Sequence, residues 1–208
     1  MGKLFINKYC HIKNNKVFLD GKLVFSDDEV HDIKPFLKSV YRFLKPAYNK
    51  FFKMDEISKL AYLCSEYLLQ DVDLSAFNKD DIAIVLSNSD STSITDQNHQ
   101  NSISKEGGFF PSPSIFVYTL PNIMIGEISI RHKLKGENAF FIVENFDAGL
   151  LTNHINNLYL TRKAKVFIAG WVNINNDSYE AFLFLLSPCG KKYNKGEIEK
   201  VYNQHKYI

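Results

Sequence analysis

The feature that most limits what this chain can fold into is an alternation of short apolar runs with stretches of helical period. Asp81-Ile82-Ala83-Ile84-Val85-Leu86, Ala139 to Val143, Lys165 to Ile168 and Tyr179 to Leu186 are short and β-rich, in the manner of buried strands. Around them, apolar residues recur mostly at steps of three or four. Met54, Ile57, Leu60, Ala61, Cys64 and Leu68 form one such stripe, and Ala148, Leu151, Ile155 and Leu158 another. The second stripe lies between the runs at 139–143 and 165–168, which makes a β-α-β unit and predicts an α/β sheet with helical layers.

Turn chemistry divides the rest of the chain. Asp20-Gly21 between Val17-Phe18-Leu19 and Lys22-Leu23-Val24-Phe25 predicts a tight β-hairpin near the start. Pro35 opens a helix that runs through Leu44, and Pro46 interrupts it. The polar tract Ser87 to Ser93 reads as a strand-to-helix connection. Gly107-Gly108 with Pro111 and Pro113, and then Leu120-Pro121-Asn122, mark further breaks around helical turns at Ile115 to Tyr118 and Ile123 to Ile130.

The 208 residues suit a single domain, and 45% hydrophobic against 23% charged residues describes a globular chain. A formal net charge of +2 supplies no argument for nucleic acid or an anionic membrane as partner. The local exceptions are Arg131-His132-Lys133-Leu134-Lys135 and Lys191-Lys192, which read as solvated surface or as docking sites for an acidic protein. Cys10, Cys64 and Cys189 are widely spaced, without metal-ligand partners, so neither a disulfide framework, a metal nor a cofactor is expected. Cys64 sits on a core stripe. With no signal pattern and no long apolar run, the expected setting is cytoplasmic.

Phe110-Pro111-Ser112-Pro113-Ser114, Leu120-Pro121-Asn122, Gly126-Glu127-Ile128-Ser129-Ile130-Arg131-His132 and Lys135-Gly136-Glu137-Asn138 occur in an order and spacing that resembles the β-ketoacyl synthase family. Those enzymes carry a proline-containing segment, a similar turn, a Gly-x-(Ile/Val)-(Ser/Ala)-Ile stretch and a loop leading to the nucleophile strand. The resemblance runs from about Tyr48 to Phe184. It implies half of a thiolase-like fold, a mixed sheet covered by helices, spanning 1–208 as one domain. The N-terminal arm, 1–47 with its β-hairpin, is less family-like.

In the family the catalytic cysteine follows the loop asparagine by seven positions, and a strand ending in Ala-Gly follows it at a second fixed spacing. Counting from Asn138 and back from Ala169-Gly170 both reach Asn145, so Ile142 to Gly149 occupies the nucleophile elbow without a cysteine. An amide cannot accept an acyl chain as a thioester. The family's catalytic histidines lie in its C-terminal half, which a sequence ending at Ile208 is expected to lack. The resemblance thus implies a non-catalytic protein, a chain-length-factor-like partner of a full-length ketosynthase or of itself as a dimer. The strand 139–143 would mediate the pairing, and Asn145 and Phe146 would form the elbow of an acyl pocket. The helix from Asp147 to Arg162 would keep a second face, Thr152, Asn153, His154, Asn156 and Asn157, wet or bonded to a partner. One alternative is an acyl-chain or acyl-carrier-protein binding module using Arg131, Lys133 and Lys135. Another is an enzyme with chemistry moved to His154, with Asp147 two helical turns away, or to Cys189.

Overall fold

The computed structural model describes residues 4–104, 112–176, 178–188, 191–192 and 194–204. Its frame is a mixed sheet. Strands β1 (Phe5–Lys13), β2 (Lys16–Leu19), β3 (Lys22–Ser26), β4 (Ile82–Asn88), β5 (Asn138–Ile142), β6 (Val166–Ile174) and β7 (Tyr179–Ser187) lie in the order β3-β2-β1-β7-β6-β4-β5, and a short β8 (Lys191–Lys192) pairs with β1. β4 runs parallel to both β5 and β6, while β7 is antiparallel to β6 and β1. The helices are α1 (Ile33–Leu44), α2 (Glu56–Leu69), α3 (Ser93–Ile103), α4 (Pro113–Phe116), α5 (Ile123–His132), α6 (Ala148–Leu160) and α7 (Lys195–Asn203).

Apolar runs without alternation become central strands: every residue of β4 and β6 is buried. Their side chains divide by the two-residue period of a strand. Ile84, Leu86, Ile168 and Val172 pack with residues of α1, α2 and α5, including Phe36, Leu60, Leu63 and Ile128. Val85, Phe167 and Ala169 pack on the other face with Leu151 and Ile155 of α6 and Ile198 of α7. The helical layers on both faces are those the sequence pattern predicts.

Four details depart from the sequence reading. The run at 139–143 is not a buried strand: β5 is the outer strand of the sheet, and Ile142 is 56% exposed. α2 buries more than one stripe, since Tyr62, Leu63, Ser65 and Tyr67 are buried as well, because it is packed by α1, α5 and the sheet together. The first residues form more than one hairpin. β1 lies well inside the sheet, between β2 and β7, and Asn14-Asn15 makes a turn to β2 like that of Asp20-Gly21 to β3. In both turns the two central residues have positive φ (47° and 56°, 49° and 80°), the conformation whose twist suits a two-residue hairpin. Fourth, Thr152 is not part of a wet face. It is buried, and its hydroxyl donates to the Gly149 carbonyl at 3.0 Å, whereas Asn153, Asn156 and Asn157 are exposed.

Gly170 permits the closest backbone approach in the sheet. Its φ is +155°, and a Cβ there would lie 1.9 Å from the Phe182 carbonyl oxygen of β7. No helix among the described residues is long and apolar enough to cross a membrane.

Candidate functional site

Because β4, β5 and β6 are parallel, their last residues, Asn88, Ile142 and Ile174, end on one edge of the sheet. That edge is where crevices open in α/β sheets. The chain leaves β5 with the Val143 N–H donating to the Asn88 carbonyl at 2.8 Å, and enters α6 at Asp147, whose Oδ1 accepts from the Leu150 N–H at 2.9 Å. Asn145 lies in this connection, exposed. Phe146 is half-buried, with its ring centroid 4.2 Å from that of Tyr202 on α7 and 5.6 Å from that of Phe182 on β7.

Asn145 and Phe146 border a cleft of about 480 Å³ whose other walls include Trp171, Asn173, Glu180 and Tyr202. Asn173 ties the wall to the β4 loop: its Oδ1 accepts from the N–H groups of Ser89 and Asp90 at 3.2 and 3.1 Å, and its Nδ2 donates to Asp90 at 2.6 Å. Glu180 organises the opposite wall. Its Oε1 lies 2.7 Å from Nε2 of the buried His11 and 3.4 Å from Lys13 Nζ, and its Oε2 accepts from the Tyr202 hydroxyl at 2.8 Å. Burial by itself would raise the Glu180 carboxyl; the hydrogen bonds and charges of His11, Tyr202 and Lys13 outweigh burial and hold it below the ordinary carboxylate range.

No thiol faces this cleft among the described residues. Cys10 and Cys64 are both fully buried in the layer on the α2 side of the sheet, and burial, reinforced by Cys64, pushes the Cys10 thiol well up. Cys189 lies outside the described residues, as do Phe110 and Pro111 of the proline-containing segment. His154 stands edge-on to Phe141 at 5.2 Å, and the Asp147 carboxylate is engaged as the α6 cap, so the two form no ion pair among the described residues. No group of three or more His, Cys, Asp or Glu side chains is placed to hold a metal among the described residues.

The basic trio does not form one surface. Arg131 turns back onto α2: its Nε and one terminal nitrogen each donate to a Glu66 oxygen at 2.9 Å, that terminal nitrogen also reaches the Pro46 carbonyl at 3.0 Å, and the guanidinium lies 5.1 Å from the Tyr48 ring centre. Lys133 and Lys135 remain exposed. The His11–Glu180–Tyr202 cluster, by contrast, has no sequence signature, because His11 and Glu180 are 169 positions apart and only the β1–β7 pairing joins them.

No protein-family profile and no curated protein sequence matches the chain. Solved structures do. The ishigamide ketosynthase/chain length factor superposes with a TM-score of 0.62 at 17% identity, covering 89% of this chain and 62% of that one. AntDE:AntF, a type II polyketide acyl-carrier protein in complex with its ketosynthase, gives a TM-score of 0.63 at 12% identity, covering 96% and 65%. The ketosynthase ApeO in complex with its chain length factor ApeC from Xenorhabdus doucetiae gives 0.54 at 15% identity, covering 89% and 79%. The chain thus spans less than two-thirds of the length of the first two. What it shares with these proteins, catalytic ketosynthases and chain length factors alike, is the thiolase-like ketosynthase fold.

Proposed function

We propose that this chain is a non-catalytic ketosynthase-like protein, an accessory or chain-length-factor-like partner of an active ketosynthase in fatty-acid or polyketide synthesis, of the aryl-polyene or flexirubin type. The observation that carries this reading is the connection from β5 to α6. The family resemblance maps the acyl-accepting cysteine onto Asn145 there, and the cysteines among the described residues are buried elsewhere. An amide forms no thioester, so the elbow is left with a binding role.

The two edges of the sheet support a partner at β5. β3, at one edge, carries the usual defences against strand pairing: Lys22, exposed, and an irregular register against β2. β5, at the other, is Asn138-Ala139-Phe140-Phe141-Ile142, with no charge, no proline and regular pairing to β4. An undefended apolar edge is a template for another chain. Such a partner would extend the sheet next to the elbow.

Co-expression of the tagged chain with a ketosynthase encoded beside it is expected to yield a stable complex. Ile142→Lys, at an exposed position with little bearing on stability, is expected to weaken that complex by about tenfold or more. Incubated alone with an acyl thioester, the chain is expected to show no acyl adduct by intact mass. Failure to co-purify with any ketosynthase, or an acyl adduct on the isolated chain, would overturn the reading.

A further inference from the structure

We propose that the cleft beside the elbow binds a neutral, polyhydroxylated ligand, a mono- or disaccharide, through polar groups that four separate parts of the chain bring to its walls. The proposal rests on the chemistry of the cleft lining and stands whether or not the chain partners a ketosynthase at β5.

Register sets one wall. Lys13 pairs with Glu180 and Glu180 with Asn173, so the three side chains stand in a row across β1, β7 and β6 on one face of the sheet. Farther in, that face is apolar, with Phe167, Phe182 and Phe184 fully buried. A polar row at its end, with the Lys13 side chain 18% and that of Glu180 20% exposed, is costly unless polar groups meet it. Glu180 is engaged by His11, Lys13 and Tyr202, and Asn173 by the loop after β4, so both are held in fixed orientation. Hydrogen-bonding capacity is left over around them. Lys13 has donors beyond its contact with Glu180. The exposed Glu144 and Asn145 side chains carry no hydrogen bond or ion pair among the described residues. On α7, the Asn203 Nδ2 donates to the Glu199 carbonyl at 2.8 Å, which leaves its amide oxygen as an acceptor.

This lining selects against three kinds of ligand. A hydrocarbon chain would meet apolar surface only at Phe146 and Trp171, because the Tyr202 ring is covered by Phe146 at 4.2 Å and His11 at 5.7 Å. An anion would face the carboxylates of Glu144 and Glu180, and a cation the ammonium of Lys13. A neutral ligand remains. Donors and acceptors are mixed around it, on the sheet, on the loop before α6, on the turn between β6 and β7 at Ser178, and on α7. A hydroxyl both donates and accepts, so it satisfies either kind. A ring with hydroxyls all around its frame therefore fits better than a linear arm that carries its amides along one line. The volume of about 480 Å³ lies within the usual range of small-molecule sites, roughly 300–1,000 Å³, and the rings of Phe146 and Trp171 suit the C–H face of a sugar.

Trp171 is the single tryptophan of the chain, so its fluorescence reports on this cleft. The test titrates the full chain with glucose, N-acetylglucosamine, maltose and trehalose, and for comparison with glucose 6-phosphate, spermidine, octanoate and pantetheine. At least one of the four neutral sugars is expected to give a saturable change, with a Kd of about 1 mM or below. The double variant Glu144→Ala, Asn145→Ala should weaken that binding about tenfold or more, and Asn203→Ala on the α7 side about threefold. Both change exposed side chains, so thermal midpoints should stay put. Should the double variant shift its midpoint, Glu144→Gln, Asn145→Ser replaces it. No saturable change with any of the four sugars, or equal affinity in the variants, overturns the proposal. So does tighter binding of any comparison probe: pantetheine would assign the cleft to a thioester arm, octanoate to an acyl chain, and glucose 6-phosphate or spermidine to a charged ligand.

Discussion

Gly170→Ala is expected to leave little or no folded protein. The added methyl would sit 1.9 Å from the Phe182 carbonyl oxygen and 2.9 Å from its carbon, at a φ of +155° that side chains other than glycine's rarely adopt. Both obstacles are backbone, and the neighbours cannot step aside, because Gly170 is paired with Leu86 of β4 on one side and Leu183 of β7 on the other. Relief would require β7 to move off β6, exposing part of a strand that is buried along its whole length. A penalty above about 4 kcal/mol is expected, comparable with the whole stability of many domains. Soluble yield and the urea midpoint measure it. Gly126→Ala is the control: inside α5 the nearest obstacle is the Ile123 Cδ1 at 4.0 Å, so the loss of glycine's chain entropy should stabilise by about 0.5–1 kcal/mol. A Gly170→Ala protein with an unchanged midpoint would mean that β6 and β7 are not paired as described.

Glu66→Ala is the second large effect, expected at about 3 kcal/mol. Glu66 is the shared acceptor of the α2–α5 contact: Arg131 donates to both of its oxygens and His132 Nε2 lies 3.2 Å from one of them. Removing it leaves the partly buried Arg131 side chain, 28% exposed, without its carboxylate, and a charge abandoned in such a place is more costly than the pair was stabilising. Burial by itself would raise the Glu66 carboxyl, but hydrogen bonds and charge from His132 and Arg131 hold it below the ordinary value. The sign follows by linkage. A depressed carboxylate contributes stability that is fully present above its unfolded value of about 4.3 and is lost as pH falls through the lower folded value. Glu180, shifted in the same direction, loses stability over the same range. Urea midpoints of the parent protein should therefore fall on acidification below about pH 4.3, and Glu66→Ala should flatten part of that slope. An identical slope in the variant would show that Glu66 is not the titrating group.

What could be read from the sequence was local. Asp20-Gly21 specifies its hairpin because two successive residues must take positive φ. The runs of β4, β6 and β7 and the α6 stripe carried their periods openly. β1 did not. Phe5 to Lys13 mixes Asn7, Lys8 and His11 with apolar residues, and a register shift against β7 between Ile6 and Lys8 breaks the alternation by which a strand is known. His11 is buried there with Glu180 of the neighbouring strand as a partner and the rings of Phe182 and Tyr202 against it. α7 was missed as well, since Lys195 to Asn203 is mostly polar and its anchors are the buried Ile198 with Val201 and Tyr202 packed beside it.

The fold class, the hairpin and the lack of a thiol in the segment around Asn145 were determined by the amino-acid sequence alone, because period, turn chemistry and side-chain identity are properties of neighbours along the chain. Tertiary structure decided which strand is the bare edge, that Arg131 turns inward to Glu66, and that a polar cleft walled by Glu180 and Asn173 adjoins the elbow. Each of these depends on groups brought together across long separations, which no local pattern encodes.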